Sequence, residues 1–460
     1  MKIIKDINPT IFREYDIRGV YEEDLNEDVA YTIGKAFGTY VKKQGENKVL
    51  LGHDNRESHS VLYPSLMQGI LDSGVNVLSL GLITTPMHNF AKIYYNIECA
   101  IMVTASHNPK EYNGFKISTK KEDSLFGEEL QEFKKFLYEG NYDDGIGYVY
   151  EESIMPAYFE ELKKSIHLGD RKVKAVIDCG NGTGSVFIEN ILKMFNIEYD
   201  LLYCESDSNF PNHTPDPAVK ENMEDLGKRV IELGYDIGLA VDGDCDRCGM
   251  VLEDGTYVPA DLIMLLFYRN IAPHMKNREA VFDVKCSKSL IDELKILGIE
   301  AHMNRTGAVY CRSYIEKNNL DFGGEFSGHL FFKDRYLGYD DGIYAILRLI
   351  EIFSKTDKKG SELFDGIHEY YSTGEVKLEI NEEDKFNIVD DIVKYASKKK
   401  YEYCLIDGIR INFKDGWALV RASNTGPNLT LRFEANTKRR LKEIEKEFKK
   451  VLDKEMKKNR

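Results

Sequence analysis

Short apolar runs, each leading into a helical pattern, recur through most of the chain, and no other feature restricts the fold as much. Strands are expected at Lys48–Gly52, Val75–Leu80, Ala100–Val103, Val173–Asp178, Ile237–Val241 and Ala280–Val284. Helical patterns fall near Glu27–Lys43, up to Asp72, and over Pro86–Tyr95, Ala260–Asn270 and Ser287–Leu297. Strand and helix alternating at this spacing predict βαβ units and mostly parallel sheets. In such sheets ligands bind beyond the carboxyl ends of strands. The loops after the strands are therefore where chemistry is sought.

From about Ser372 the pattern changes. Strands at Val376–Ile380, Gly408–Phe413, Trp417–Arg421 and Leu429–Glu434 accompany helices at Asp384–Lys399 and Thr437–Leu452, which predicts an α+β unit with an antiparallel sheet. A chain of 460 residues exceeds one core and suggests three or four domains. A net charge of -15 and a pI near 5.3 argue against nucleic acid or an anionic membrane as the partner. No apolar run reaches membrane-spanning length and the first residues lack an apolar signal core, so a cytoplasmic location is expected. The 8 cysteines are scattered, which suits a reducing compartment. Cys245 and Cys248 form a C-x-x-C without a second pair, so structural zinc is not expected.

Four loops carry unusual chemistry. After the strand Ala100–Val103 comes Thr104-Ala105-Ser106-His107-Asn108-Pro109, a tight turn that would present the Ser106 hydroxyl beside an imidazole. After Ile237–Val241 comes Asp242-Gly243-Asp244-Cys245-Asp246-Arg247. Carboxylates at alternate positions of an extended segment converge, and such a density of oxygen ligands suits Mg²⁺ or Ca²⁺. An EF-hand needs glycine at its sixth position, where this chain has Arg247. A phosphatase of the haloacid-dehalogenase type, with Asp242 as nucleophile, stays open at this point. The third loop, Gly323-Gly324-Glu325-Phe326-Ser327-Gly328-His329, gathers groups suited to sugar hydroxyls. The fourth, Arg421-Ala422-Ser423-Asn424-Thr425-Gly426-Pro427, would cradle a phosphate. The glycine-rich turn Gly180–Gly184 departs from the dinucleotide spacing and is read as structural.

Taken in order, TASHNP, DGDCDR, GEFSGH and RASNTGP resemble the motifs of the α-D-phosphohexomutase family, in its phosphomannomutase/phosphoglucomutase branch, over essentially the whole chain. The resemblance implies three related mixed-sheet α/β domains and a C-terminal α+β domain around a central cleft. Their expected bounds are 1–146 (phosphoserine-bearing), 147–251 (metal-binding), 252–366 (sugar recognition) and 367–460 (phosphate-binding). It implies an isomerase that interconverts hexose 1-phosphate and hexose 6-phosphate, of mannose, glucose or both, through a phosphoserine and a hexose 1,6-bisphosphate. Ser106 would carry the phosphoryl group, and Asp242, Asp244 and Asp246 would hold Mg²⁺ with an oxygen on Ser106. Lys116, His107 and His329 are candidates for handling the hydroxyl proton, and Arg247 and Arg18 would supply positive charge. Glu325 and Ser327 would bind sugar hydroxyls with His329 close to the reacting end, Tyr15 and Lys285 would bind substrate in the cleft, and Arg421, Ser423, Asn424 and Thr425 would hold the non-reacting phosphate. Glucose 1,6-bisphosphate is expected as activator. The expected partner is a phosphosugar, with no nucleic acid or membrane, and the chain is expected to be a monomer or weak homodimer. The family's glucosamine-specific members carry an amide where this chain has Phe326, so glucosamine phosphate should be a poor substrate. A polar linker near Lys355–Gly374 is expected to hinge. A phosphatase and a non-catalytic sugar-phosphate sensor are the rival readings.

Overall fold

A computed structural model describes residues 1–120, 124–195, 197–381, 383–423, 426 and 428–458. The chain forms two compact units, Met1–Ala260 with Ser327–Leu363, and Asp261–Phe326 with Phe364–Arg460. The third crossing, between Leu363 and Phe364, falls inside the linker expected to hinge.

The first unit opens with a six-stranded sheet of β1 (Ile17–Val20), β2 (Lys48–His53), β3 (Asn76–Leu82), β4 (Ala100–Val103), β5 (Tyr112–Ser118) and β6 (Val149–Glu151). The spatial order is β1-β5-β4-β2-β3-β6. β2 is parallel to β3 and β4, and β3 to β6, whereas β5 runs antiparallel to both β4 and β1. The helix Glu27–Lys43 starts at Asn26, whose side chain accepts from the backbone N–H groups of Asp28 and Val29. It buries Val29, Ile33, Phe37 and Val41, a stripe at helical spacing, in the core of this sheet. β5 reads poorly from sequence because Asn113-Gly114 looks like a turn. In place, Asn113 is fully buried and donates to Ser58 Oγ (2.7 Å).

A second sheet holds β7 (Lys174–Asp178), β8 (Glu198–Leu202), β9 (Ile237–Val241), β10 (Cys248–Leu252) and β11 (Tyr257–Val258), ordered β11-β10-β9-β7-β8. β7, β8 and β9 are parallel; β10 turns back antiparallel on β9, so Asp242–Arg247 is the loop joining them. The helix Gly342–Ser354 packs on β9 and β10 and is buried along its whole length. That explains its nearly unbroken apolar sequence.

In the second unit β12 (Glu279–Asp283), β13 (Glu300–Asn304) and β14 (Phe322–Gly324) are parallel, with β12 central. β15 (Leu330–Phe332) belongs to the first unit. The C-terminal sheet contains β16 (Tyr371–Ser372), β17 (Val376–Glu379), β18 (Glu402–Cys404), β19 (Ile409–Phe413), β20 (Gly416–Ala422) and β21 (Asn428–Ala435), all antiparallel. β20 is buried on both faces. Ala418 and Val420 meet Ile388, Ile392, Ile444 and Phe448 in the helix-side core, and Trp417 and Leu419 meet Val284 on the other. Arg410 ties the same side to the end of β12, donating to the carbonyls of Val284 (2.6 Å) and Cys286 (2.9 Å). Among the described residues no helix is long and apolar enough to cross a membrane.

Candidate active site

β4 delivers Ser106 to the end of the first sheet and β9 delivers Asp242 to the end of the second. The two meet: Ser106 Oγ donates to Asp242 Oδ2 at 2.7 Å. His107 Nδ1 lies 3.2 Å from the same hydroxyl. Ser106 has a left-handed backbone, φ 50°, a conformation that a non-glycine residue holds only when its surroundings impose it. Arg56 imposes it here. Its buried guanidinium donates to the carbonyls of Ser106 (2.8 Å), Asn108 (2.6 Å), Pro109 (2.7 Å) and Tyr112 (3.0 Å). Arg18 adds a bond to Asn108 Oδ1 (2.8 Å) while paired to Asp16.

Asp242, Asp244 and Asp246 are buried with ligand atoms all within 4.8 Å of one another. Burial and the neighbouring Asp246 and Asp244 push Asp242 well above the usual carboxylate range. Asp244 moves the other way: burial would raise it, but the charge and hydrogen bond of Lys116 hold it well below. Lys116, on β5, donates to Asp244 Oδ2 (2.8 Å) and Asp246 Oδ2 (2.6 Å). Those two carboxylates outweigh burial and raise its proton affinity far above that of an ordinary lysine. Thr85 and Thr104 add hydroxyl donors to the same Asp244 oxygen. Among the described residues Asp244 Oδ1 and Asp246 Oδ1 are buried without a hydrogen-bond partner, the latter 3.5 Å from His329 Nδ1. Carboxylate oxygens converging in a buried loop, with lone pairs that take no hydrogen bond from a described residue, fit a hard divalent cation.

Cys245, between two of these residues, is turned away from them. A Cβ at Gly184 would stand 2.8 Å from its Sγ, so the thiol packs on the glycine-rich turn. That turn is structural, as its sequence suggests: Thr183 N donates to the Gly243 carbonyl (2.8 Å) and its hydroxyl accepts from Asn55 N (3.1 Å). The turn thus braces the acidic loop from behind.

Arg247 closes one side. Its backbone N–H donates to Asp242 Oδ1 (3.1 Å), and its side chain donates to Asp216 (3.3 Å) and to His329 Nε2 (3.1 Å). Asp242 therefore has both oxygens engaged, which disfavours it as a nucleophile. His329 Nδ1 lies 2.9 Å from Asp340 Oδ2. Burial lowers the proton affinity of His329, but Asp246 and Asp340 more than offset it. Ser327 lies in the same unit, two residues before His329, and Tyr15 is within electrostatic reach of Arg247.

The second unit gathers the other expected residues. Glu325 Oε1 accepts from the backbone N–H of Gly307 (2.5 Å). Lys285 follows β12 and pairs with Glu375 (3.0 Å). Arg421, at the end of β20, donates to Asp407 Oδ2 (2.9 Å) and keeps a buried Nη2 without a partner among the described residues. Ser423 is buried, and its carbonyl accepts from Lys385 Nζ (2.8 Å). Asn424 and Thr425 lie outside the described residues. Phe326, expected to bear on substrate choice, lays its ring on the Arg432 guanidinium (3.8 Å) and its N–H on Asp283 (2.9 Å). Sequence reading passed over Arg56, Thr85, Thr104, Asp216, Asp340, Glu375 and Asp407. Strand-end position could have flagged Arg56, after β2, and Thr104, the first residue of the serine loop after β4.

A serine hydroxyl opposed to a buried carboxylate triad, ringed by lysine and arginine, is the arrangement of a metal-assisted phosphoryl-transfer enzyme. Family models match the chain in succession: phosphoglucomutase/phosphomannomutase alpha/beta/alpha domain I over 9–138, domain II over 156–255, domain III over 259–371 and the C-terminal domain over 375–451. The chain belongs to the phosphoglucomutase/phosphomannomutase family of α-D-phosphohexomutases. It is 39% identical over 443 residues to a phosphomannomutase/phosphoglucomutase of Pseudomonas putida, covering 96% of this chain and 95% of the relative. It is 38% identical to a phosphoglucomutase of Neisseria gonorrhoeae, covering 97% of each. The crystal structure of a phosphoglucomutase/phosphomannomutase family protein from Burkholderia thailandensis superposes with a TM-score of 0.89 at 33% identity, covering 98% of both chains. The four-domain architecture of mixed α/β sheets and a C-terminal α+β domain is that of the family.

Proposed function

We propose that the chain interconverts hexose 1-phosphate and hexose 6-phosphate, of mannose, glucose or both, through phosphorylated Ser106. The observation that carries this is the 2.7 Å contact of Ser106 Oγ with Asp242 inside the acidic triad. In the forward step the Oγ–P bond of phosphoserine 106 breaks and a bond forms from phosphorus to the substrate's open hydroxyl, giving a hexose 1,6-bisphosphate. The hydroxyl proton passes to a base. The bisphosphate then turns and returns its other phosphoryl group to Ser106, leaving the isomeric monophosphate.

Mg²⁺, held by Asp242, Asp244, Asp246 and an oxygen on Ser106, would neutralise charge on the transferring group. Lys116, which donates to Asp244 and Asp246, would bring positive charge to the transferring group. For His329 to take the proton, its Nε2 must first leave the bond it accepts from Arg247, while Asp340 at Nδ1 would stabilise the imidazolium that results. His107 remains next to the serine hydroxyl. Arg247 and Arg18 flank the serine loop, with Tyr15 beside Arg247. Glu325 and Ser327 would take the sugar hydroxyls, and Lys285 with Arg421, Ser423, Asn424 and Thr425 the phosphate end of the substrate. Glucose 1,6-bisphosphate would activate by restoring phosphoserine, and the free cysteines suit a cytoplasmic enzyme.

Peptide mapping of protein incubated with glucose 1,6-bisphosphate tests the reading. Phosphate is expected on Ser106, and Ser106→Ala should remove both the phosphate and mutase turnover. Phosphate on Asp242 alone would replace the mutase with a phosphatase.

A further inference from the structure

The cations of the second unit are not bare. Lys285 is buried and carries Glu375 at 3.0 Å; Arg421 carries Asp407 at 2.9 Å. The two carboxylates are held differently. Asp407 is 9% exposed, and the oxygen that accepts from Arg421 also accepts from Thr306 N (3.0 Å), so it is fixed between two segments. Glu375 is 26% exposed. It follows Gly374, which has φ 69°, at the start of a β17 edge whose alternate residues face outward.

We propose that Glu375 is a displaceable counter-ion that occupies Lys285 until a phosphate group takes its place, and so lowers the affinity of this site for phosphate. This rests on the reading that Lys285 and Arg421 receive a phosphate group. A buried ammonium short of counter-charge is unfavourable; Asp283 Oδ2 lies 3.8 Å from Lys285 and Glu375 is the nearer carboxylate, so without Glu375 or a phosphate the ammonium keeps only the longer pair among the described residues. A phosphate dianion meets that need better, and leaves Glu375 as a like charge beside it. The exposure of Glu375 gives it water to move into; Asp407, pinned at two points, has no such route. Each binding event therefore breaks the Lys285–Glu375 pair, and each release re-forms it. For a bisphosphate that must let go and turn, a re-forming internal pair favours letting go.

The test uses the full chain with inorganic phosphate and glucose 1-phosphate as probes, with affinities read by calorimetry and turnover by coupled assay. Glu375→Gln should bind both probes about tenfold tighter, with KM lowered in parallel and kcat lowered through slower release. Glu375→Asp, which keeps the charge, should stay near the parent in affinity. Glu375→Ala should follow the glutamine variant, which separates charge from any local effect of the amide; melting curves identify a variant that fails to fold. Unchanged or weaker probe binding in both neutral variants, with the parent turning over normally, would overturn the counter-ion role and leave the mutase reading intact. A parent chain without mutase turnover would instead remove the reading on which this rests.

Discussion

Gly243 and Ser106 approach backbone to backbone: a Cβ on Gly243 would stand 2.5 Å from the Ser106 carbonyl oxygen. The acidic loop and the serine loop come from different sheets, and this missing side chain lets them close. Gly243→Ala should push the loops apart and stretch the Ser106–Asp242 contact. Turnover is expected to fall by about 100-fold, since displacing a reacting group by about 1 Å costs that much. Thermal melting should show the chain still folded. A variant with parental kcat would show that the close approach is dispensable.

The acidic triad predicts a division between its members and the cysteine among them. Asp244→Asn should abolish most Mg²⁺-dependent turnover, on the order of 100-fold or more. It should also release Lys116 from one of its two partners. Cys245→Ala should retain Mg²⁺-dependent activity, because the thiol packs on Gly184 and not on the carboxylates. Calorimetric Mg²⁺ titration of both variants checks this. Tight zinc binding lost in Cys245→Ala would overturn the oxygen-only site.

How much of this was legible beforehand follows from what each residue contributes. Ser106, Asp242, Asp244, Asp246 and Arg247 sit in single loops after strongly apolar strands, so pattern and chemistry coincide in one stretch. The helix Glu27–Lys43 was legible to both ends because its cap, charges and apolar stripe agree. β5 was not, because Asn113-Gly114 carries a turn signature that long-range pairing with β1 and β4 overrides. Asp216, Asp340, Glu375 and Asp407 act through partners 11 or more positions away, and a linear reading has no signal for such pairs. Phe326 shows a different limit. Its place in the GEFSGH loop bears on substrate choice through the amide it lacks, and the packing of its ring on Arg432 comes from a residue far along the chain.

Two histidines make the first unit acid-sensitive. Burial lowers His53 to about 4 and His88 to about 3, both below the unfolded value near 6.5. A depressed folded value means the unfolded chain binds the proton first as pH falls. Stability is thus full above about 6.5 and declines as pH falls from there toward about 4, by up to about 1.4 kcal/mol per pH unit for each histidine. Melting temperatures between pH 7.5 and 4.5 should fall, and His53→Gln should flatten the slope. A pH-independent melting temperature across that range would contradict the assignment.

Arg421 carries the last prediction. One edge of its guanidinium is fixed by Asp407, and its Nη2 is buried without a partner among the described residues. A guanidinium oriented on one side and open on the other is set to receive a phosphate oxygen. Arg421→Ala should therefore raise KM for glucose 1-phosphate by about 10- to 100-fold, the range of a lost charge-assisted hydrogen bond. It also leaves Asp407 without its cation, so a modest drop in melting temperature should accompany it. Arg421→Lys should recover stability better than affinity, because an ammonium cannot hold Asp407 and a phosphate in one plane. Labelling of Ser106 by glucose 1,6-bisphosphate at saturating concentration should persist in both variants, since Ser106 and its metal ligands are untouched. If Arg421→Ala instead lost Ser106 labelling while its KM stayed at the parental value, the guanidinium would have no role in holding the non-reacting phosphate.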